Sequence, residues 1–381
     1  MKILAVGGGS GGHVTPVLAV INQLSAIESN LHVTFVCDKA FEEQSRGLMA
    51  YAAVPVEVRT ISAGKFRRYS HLTFWQHFTV PSVVWGNLRD LSRIIAGFFE
   101  SFSLLITRRP DVVFAKGGYV CLPLGIVAWL LHIPLVIHDS DTRPGLTNRV
   151  LSRFAKVIAT GSPLDNYPYD SRKSHYTGVP IAEGFHPLSN DEQSELKEKL
   201  GFNTKEKLIV ATGGGLGATW INQGMVRVAS QLAKEHISIY DITGKKNYDM
   251  VADVASEHAN FKAVPFVFKD MHKVLGAADV VVARGSATFM QELAGLRKAV
   301  VMIPARSLGD QLKNAKVYKA ADAAEIVEDS ETLGENDSFA DLLIDLCNDS
   351  ERREVLARNL YRFARPNAAQ DLAKLIISAI R

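Results

Sequence analysis

A chain of 381 residues is long enough for two domains and for a core that needs no covalent staples. With 47% apolar and 22% charged residues it has ordinary globular composition, and a net charge of +3 excludes the strong basic excess of a dedicated nucleic-acid binder. Cys37, Cys121 and Cys347 form no CxxC pair and no zinc-spaced cluster, which excludes a disulfide scaffold and points to a reducing compartment.

Met1 and Lys2 lead straight into Ile3–Val6 and a glycine run, so no signal peptide is expected. Further apolar runs at Val33–Cys37, Val56–Thr60, Val112–Ala115, Leu135–His138 and Val157–Thr160 read as strands. The longest apolar stretch, Tyr119–Leu131, is broken by Pro123 and Gly125 and is shorter than the ~20 residues of a spanning helix, so a soluble or peripheral protein is expected. A second series follows at Leu208–Ala211, Ile237–Ile242, Val264–Val267, Val280–Ala283, Val300–Ile303 and Ala324–Val327. Continuous apolar runs suit strands buried on both faces of a parallel sheet, and the amphipathic stretches between them suit crossover helices.

Each series opens with a strand running into glycines, AVGGGSGG at 5–12 and ATGGGLGA at 211–218. The expected fold is therefore α/β, with two Rossmann-like domains facing across a cleft, residues 1–180 and 181–365. The seam is marked by Gly178, Pro180, Gly184 and Pro187. The helical tail from Glu351 breaks near Pro366, and the segment 366–381 is expected to pack back on the first domain.

Gly7-x-Gly9-x-x-Gly12, with Asp38 closing the second strand, fits a dinucleotide site and leaves a nicotinamide or flavin oxidoreductase open. No Walker lysine follows the glycines. Thr15 as N-cap and Pro16 as first helical residue would put His13 in the loop before the helix, where an imidazole suits a general base. Gly213-Gly214-Gly215-Leu216-Gly217 lets backbone amides approach a phosphate. Ala283-Arg284-Gly285-Ser286-Ala287-Thr288 ends a strand and starts a helix, with Ser286 as its N-cap. Glu292 on that helix reads either as a ribose ligand or as a solvated residue paired with Arg297 or Lys298. Asp310, Gln311 and Asn314 follow the next strand, where such side chains suit sugar hydroxyls.

GGGSGGHVTP at 7–16, GGYV at 117–120, IPLVIH and PGLTNR within 133–149, GGGLGA and IN within 213–222, AADVVVARGSATFMQE at 277–292 and DQLKNA at 310–315 recur in the order of glycosyltransferase family 28. The chain resembles that family over nearly its whole length, and GGHVTP and PGLTNR are its most specific segments. The resemblance implies the GT-B fold and no cofactor or structural metal. It also implies inverting transfer of GlcNAc from UDP-GlcNAc to undecaprenyl-pyrophosphoryl-MurNAc-pentapeptide, in peptidoglycan synthesis on the cytoplasmic face of the membrane. Ser10, Gly11, Gly12 and His13 would form the acceptor-side loop, the first three also serving the donor, with His13 the base. Tyr119, Asp141 and Asn148 would line the acceptor side. Gly215, Phe268, Arg284, Ser286, Ala287, Thr288, Glu292, Gln311 and Asn314 would hold the donor, with Phe268 against uracil and Glu292 on the ribose.

The chain departs from the family at the acceptor side. Asp141 stands for a usual Asn and Ala182 for a usual Arg, and Gly215-Leu216 replaces Ser-Gln. A related transferase with another lipid-linked acceptor and a non-catalytic nucleotide-sugar binder therefore stay open. Asp139-Ser140-Asp141 imitates a DxD metal motif but falls on the acceptor side, so no metal is expected. In the stretch 64–99, Lys65, Arg67 and Arg68 mix with Phe66, Phe74, Trp75 and Trp85. Either these aromatics enter the core, or they meet an anionic inner-leaflet surface, which a lipid-linked substrate favours. Nucleic acid is not expected as a partner.

Overall fold

The computed structural model describes residues 1–8, 11–64, 80–141, 144–215, 217–267, 269–305, 309–328 and 337–380. The chain divides into two compact units, Met1–Ala182 with Asn367–Arg381, and Glu183–Pro366.

Unit 1 holds strands β1 (Lys2–Val6), β2 (His32–Asp38), β3 (Val56–Ile61), β4 (Val112–Ala115), β5 (Leu135–Asp139), β6 (Val157–Thr160) and β7 (Ser174–Tyr176). All are parallel, in the order β3-β2-β1-β4-β5-β6-β7. Its helices are α1 (Gly11–Ile27), α2 (Glu42–Met49), α3 (Pro81–Arg108), α4 (Cys121–Leu130) and α5 (Leu146–Leu151). Side chains alternate across the sheet. Ile3 and Ala5 pack with Val17, Val20 and Leu24 of α1, whereas Leu4 and Val6 pack with Leu124 and Val127 of α4.

Unit 2 repeats the plan with β8 (Lys207–Thr212), β9 (Ile237–Ile242), β10 (Phe261–Val264), β11 (Val280–Ala283), β12 (Ala299–Met302) and β13 (Glu325–Ile326). The order is β10-β9-β8-β11-β12-β13, again parallel. Its helices are α6 (Asn190–Lys199), α7 (Thr219–Lys234), α8 (Tyr248–Ala255), α9 (Met271–Ala277), α10 (Ala287–Gly295), α11 (Gly309–Ala320), α12 (Ser338–Asn348) and α13 (Ser350–Tyr361). The last helix, α14 (Ala368–Ile380), returns to unit 1, where Leu372, Ala373 and Ile376 join the α1 side of the core.

The strand order reverses between β1 and β4 in unit 1 and between β8 and β11 in unit 2. At such a point neighbouring strands send their connections to opposite faces and leave a crevice at their carboxyl ends. That geometry brings the first glycine loop to GGYV and the second to Arg284–Ser286.

Two local expectations need correction, and one strand has no counterpart among them. Helix α1 starts at Gly11, so Thr15 is not its N-cap and Pro16 lies inside it, costing one hydrogen bond near the end of the ladder. Gly7 packs closely against this first turn, since a Cβ there would lie 2.8 Å from the His13 carbonyl oxygen. Strand β10 is Phe261–Val264 instead of Val264–Val267, because Pro265 has no amide to give a ladder and Phe261 fills the core. The short edge strand β7 carries polar residues and has no apolar signature.

Candidate active site

The crevice of unit 1 is built by two interlocked glycine loops. Gly118 has φ +90°, and a Cβ there would meet the Gly8 carbonyl oxygen at 2.5 Å. A Cβ on Gly8 would in turn meet Val120 at 2.8 Å. Glycine at both positions lets the β1 and β4 loops touch backbone to backbone. His13 sits in the first turn of α1 and flanks Gly117, whose Cβ would lie 3.6 Å from His13 Cε1. The residue is half-buried, yet its Nδ1 is fully buried and has no hydrogen-bond partner. Burial first, and then the charge of Lys116, pull the imidazole down to about 3, so it is neutral at physiological pH.

Behind this loop lies a polar network that the sequence does not announce. Lys116 is 1% exposed at the end of β4 and donates from Nζ to Ser140 Oγ. The Ser140 hydroxyl lies 3.4 Å from His138 Nδ1, while His138 Nε2 lies 2.9 Å from the Gly178 carbonyl oxygen. A carbonyl only accepts, so Nε2 carries the proton and Nδ1 is the acceptor for Ser140. Both ring nitrogens of His138 are thus engaged, which leaves His13 as the imidazole able to exchange a proton. Tyr169 donates to Asp139 Oδ2 at 2.6 Å, and Tyr167 donates to the Asp141 carbonyl oxygen at 2.6 Å. Burial raises Asp139 to about 7, against the hydrogen bond from Tyr169. Burial lowers Lys116 to about 8, opposed by the charges of Asp141 and Asp139.

Among the residues expected at the acceptor, Tyr119 and Asp141 are half-buried. Burial and then the charge of Asp38 push the Tyr119 phenol up to about 12. Asn148 departs from its expected place. It is 5% exposed and donates from Nδ2 to the His138 carbonyl oxygen at 3.2 Å, so it lies beneath the loop and not on its surface. Asp38 is 5% exposed and its Oδ1 caps the turn at Ala40, 3.0 Å away. Tyr119 and the glycine loop cover it, which argues against the dinucleotide reading. Among the described residues no group of three or more His, Cys, Asp or Glu side chains is placed to hold a metal ion. Ser10 lies outside the described residues, and the backbone of Gly11 and Gly12 opens α1.

The crevice of unit 2 joins the β8 loop to the β11–α10 turn. Gly214 has φ +76°, and a Cβ there would lie 3.1 Å from an Arg284 guanidinium nitrogen. The tip at Gly215 is exposed. Ser286 occupies the N-cap position of α10 but makes no capping hydrogen bond, and Ala218, the N-cap of α7, has no side chain able to make one. Neither helix N-terminus at this crevice carries a side-chain cap, a favourable setting for a phosphate. Ala287 and Thr288 form the first turn of α10, with Glu292 in the next. Arg297 pairs with Glu354, and Lys298 donates to the carbonyls of Gly276 and Ala278, so neither serves Glu292. Burial pushes that carboxyl up to about 8. Gln311 and Asn314 are buried and brace the backbone: Gln311 Oε1 accepts from Ala305 at 3.1 Å and Asn314 Nδ2 donates to the Gly285 carbonyl oxygen at 3.4 Å. Phe268 and Leu216 lie outside the described residues.

Of the basic and aromatic stretch, Lys65, Phe66, Arg67, Arg68, Phe74 and Trp75 lie outside the described residues. The rest forms α3, and its large apolar side chains are not all core. Trp85 is 75% and Phe99 72% exposed, in line with Leu88, Leu91, Ile95 and Phe102. These positions recur every three to four residues and form an apolar stripe on one helix face. No helix among the described residues is long and apolar enough to cross a membrane.

Two doubly wound parallel sheets, each with a glycine loop at its switch point, define the two-domain α/β class of GT-B glycosyltransferases. The glycosyltransferase family 28 N-terminal domain matches residues 3–160, and the family 28 C-terminal domain matches residues 208–374. A Geobacillus kaustophilus protein is 30% identical over 338 residues, 88% of each chain. One from Treponema pallidum strain Nichols is 30% identical over 392 residues, covering 100% of this chain and 96% of its own. Both are named UDP-N-acetylglucosamine–N-acetylmuramyl-(pentapeptide) pyrophosphoryl-undecaprenol N-acetylglucosamine transferase. The crystal structure of Acinetobacter baumannii MurG superposes with a TM-score of 0.70 at 23% identity over 99% of both chains, a likeness of fold. The chain belongs to glycosyltransferase family 28.

Proposed function

We propose that this protein transfers GlcNAc, with inversion, from UDP-GlcNAc to undecaprenyl-pyrophosphoryl-MurNAc-pentapeptide, the step from lipid I to lipid II in peptidoglycan synthesis. The observation that carries the reading is the His13 imidazole beside Gly117 at the switch-point crevice of a family 28 N-terminal domain, its buried Nδ1 without a partner. It is supported by the substrates in the names of relatives at 30% identity. His13 takes the proton of the attacking acceptor hydroxyl as that oxygen bonds to the anomeric carbon, and the bond from that carbon to UDP breaks. Charge developing on the leaving pyrophosphate is met by the N-terminal amides of α7 and α10 and by Arg284. Glu292 accepts from the ribose hydroxyls. Gln311 and Asn314 shape the donor-sugar side by holding its backbone.

The protein acts as a peripheral protein at the cytoplasmic face of the membrane. The α3 stripe supports this, since an exposed line of Trp, Phe, Leu and Ile suits the interface where a lipid-linked acceptor is held. The test is turnover of radiolabelled UDP-GlcNAc with synthetic lipid I. Lipid II should accumulate, and UDP release without a lipid product would point to a different acceptor.

A further inference from the structure

Two fully buried polar atoms in unit 1 lack partners and complement one another. They are Nδ1 of His13 and Oδ1 of Asn148. Both side chains flank Gly117. A Cβ on that glycine would fall 3.3 Å from Asn148 Nδ2 and 3.7 Å from His13 Nδ1, and φ of +116° keeps the position glycine. The carboxamide is already oriented. Its Nδ2 donates to the His138 carbonyl oxygen at 3.2 Å. Its oxygen is therefore left as an acceptor.

Lys116 and His138 cannot fill this place. Lys116 is a donor with no lone pair, and both nitrogens of His138 are engaged by Ser140 and Gly178. We propose that Asn148 is the positioning residue for His13: its Oδ1 accepts the Nδ1 proton, directly or through one water, and so holds Nε2 as the lone pair that takes the acceptor's proton. The His138 carbonyl oxygen, Asn148 and His13 then form one chain of hydrogen bonds. In it a carboxamide fixes the tautomer and orientation of the base, the part a third group plays behind a catalytic histidine. The proposal rests on the reading of His13 as the base.

Nitrogen-15 NMR of histidine-labelled protein tests the pairing without reference to activity, with the His13 signals assigned by their loss in His13→Gln. Wild-type His13 should show the Nδ1–H tautomer. Asn148→Leu should shift it toward Nε2–H and lower kcat by about 10- to 100-fold, the scale for a residue that orients another functional group, with the Kd of UDP-GlcNAc unchanged. Asn148→Asp keeps an acceptor in place and should retain the Nδ1–H tautomer. A wild-type Nε2–H tautomer overturns the proposal, and so does an Asn148→Leu protein with an unchanged tautomer. Should Asn148→Leu not fold, the wild-type and Asn148→Asp spectra decide. Full turnover by His13→Gln would remove the base assignment instead, a result separable from the tautomer.

Discussion

Binding of a uridine nucleotide should expel a proton from Glu292. The Glu292 carboxyl makes no hydrogen bond or ion pair among the described residues, and burial alone raises it to about 8. At neutral pH it is therefore protonated in the unliganded protein. Ribose hydroxyls donate, so they favour the carboxylate, and the bound pKa must lie below the unbound one. Affinity for UDP should consequently rise with pH up to about 8 and level off above it. At pH 7, above the range where the nucleotide phosphates titrate, binding should release on the order of one proton. Hydrogen bonds to a charged group are worth about 1.5–3 kcal/mol, or roughly 10- to 150-fold in Kd. Calorimetry in phosphate and in Tris, whose ionisation enthalpies differ, reads the proton directly. Glu292→Gln, a fixed mimic of the protonated form, should release none and bind UDP more weakly, with no dependence on pH between 7 and 9. Equal enthalpies in the two buffers, with wild-type affinity in the Gln variant, would refute the assignment of Glu292 to the ribose.

His13→Ala should reduce lipid II formation by ~10²–10⁴ while the Kd of UDP-GlcNAc stays put; wild-type turnover would return the imidazole to a packing role. Asp241 is fully buried in β9 with both carboxylate oxygens unpartnered, and burial raises it from 3.8 to about 8. The folded protein holds a proton that the unfolded chain gives up, so this group's stabilisation is complete below pH 3.8 and lost as pH rises to about 8. Asp241→Asn should accordingly gain urea resistance over wild type between pH 5 and 9, and a constant difference across that range would contradict the buried acid. Trp85→Ser with Phe99→Ser should weaken sedimentation with anionic vesicles and leave the Kd of UDP-GlcNAc alone; unchanged vesicle binding would assign the α3 stripe another partner.

The sheets are legible in the sequence because parallel strands covered on both faces are written as unbroken apolar runs, and the glycine loops because close backbone contacts admit no other residue. What is hidden depends on contacts between distant segments. Thr15-Pro16 carries a local helix-start signal, yet the helix starts four residues earlier, at Gly11. Lys116 carries no sign of burial in the sequence, yet it follows β4, which stands mid-sheet beside β1 and β5, and it is 1% exposed. Asn148, Gln311 and Asn314 read as ligand contacts by residue type; all three are buried and bonded to backbone carbonyls or amides. Polarity near a site is visible in one dimension, and the direction a polar group faces is not.

Lys116 also changes what the acceptor-side departures mean. From sequence, Asp141 and Ala182 both shift charge in the negative direction, against an anionic lipid pyrophosphate, so restoring Asn and Arg should improve the acceptor KM. The structure treats the two positions differently. Ala182 is exposed, and nothing buried depends on it. Asp141 is the leading charge that counters burial at the Lys116 ammonium, ahead of Asp139, which burial raises to about 7 and leaves partly protonated at neutral pH. Asp141→Asn therefore removes the larger of the two negative charges that offset burial of a cation that is 1% exposed. Ala182→Arg alone should lower the KM for lipid I by about tenfold, the worth of one charge-assisted contact, at wild-type melting temperature. Asp141→Asn should melt several degrees lower with no gain in KM, and the double variant should combine the gain with the loss. If Asp141→Asn instead melts with wild type and matches Ala182→Arg in KM, Lys116 does not depend on Asp141, and the acceptor prefers the neutral amide at that position.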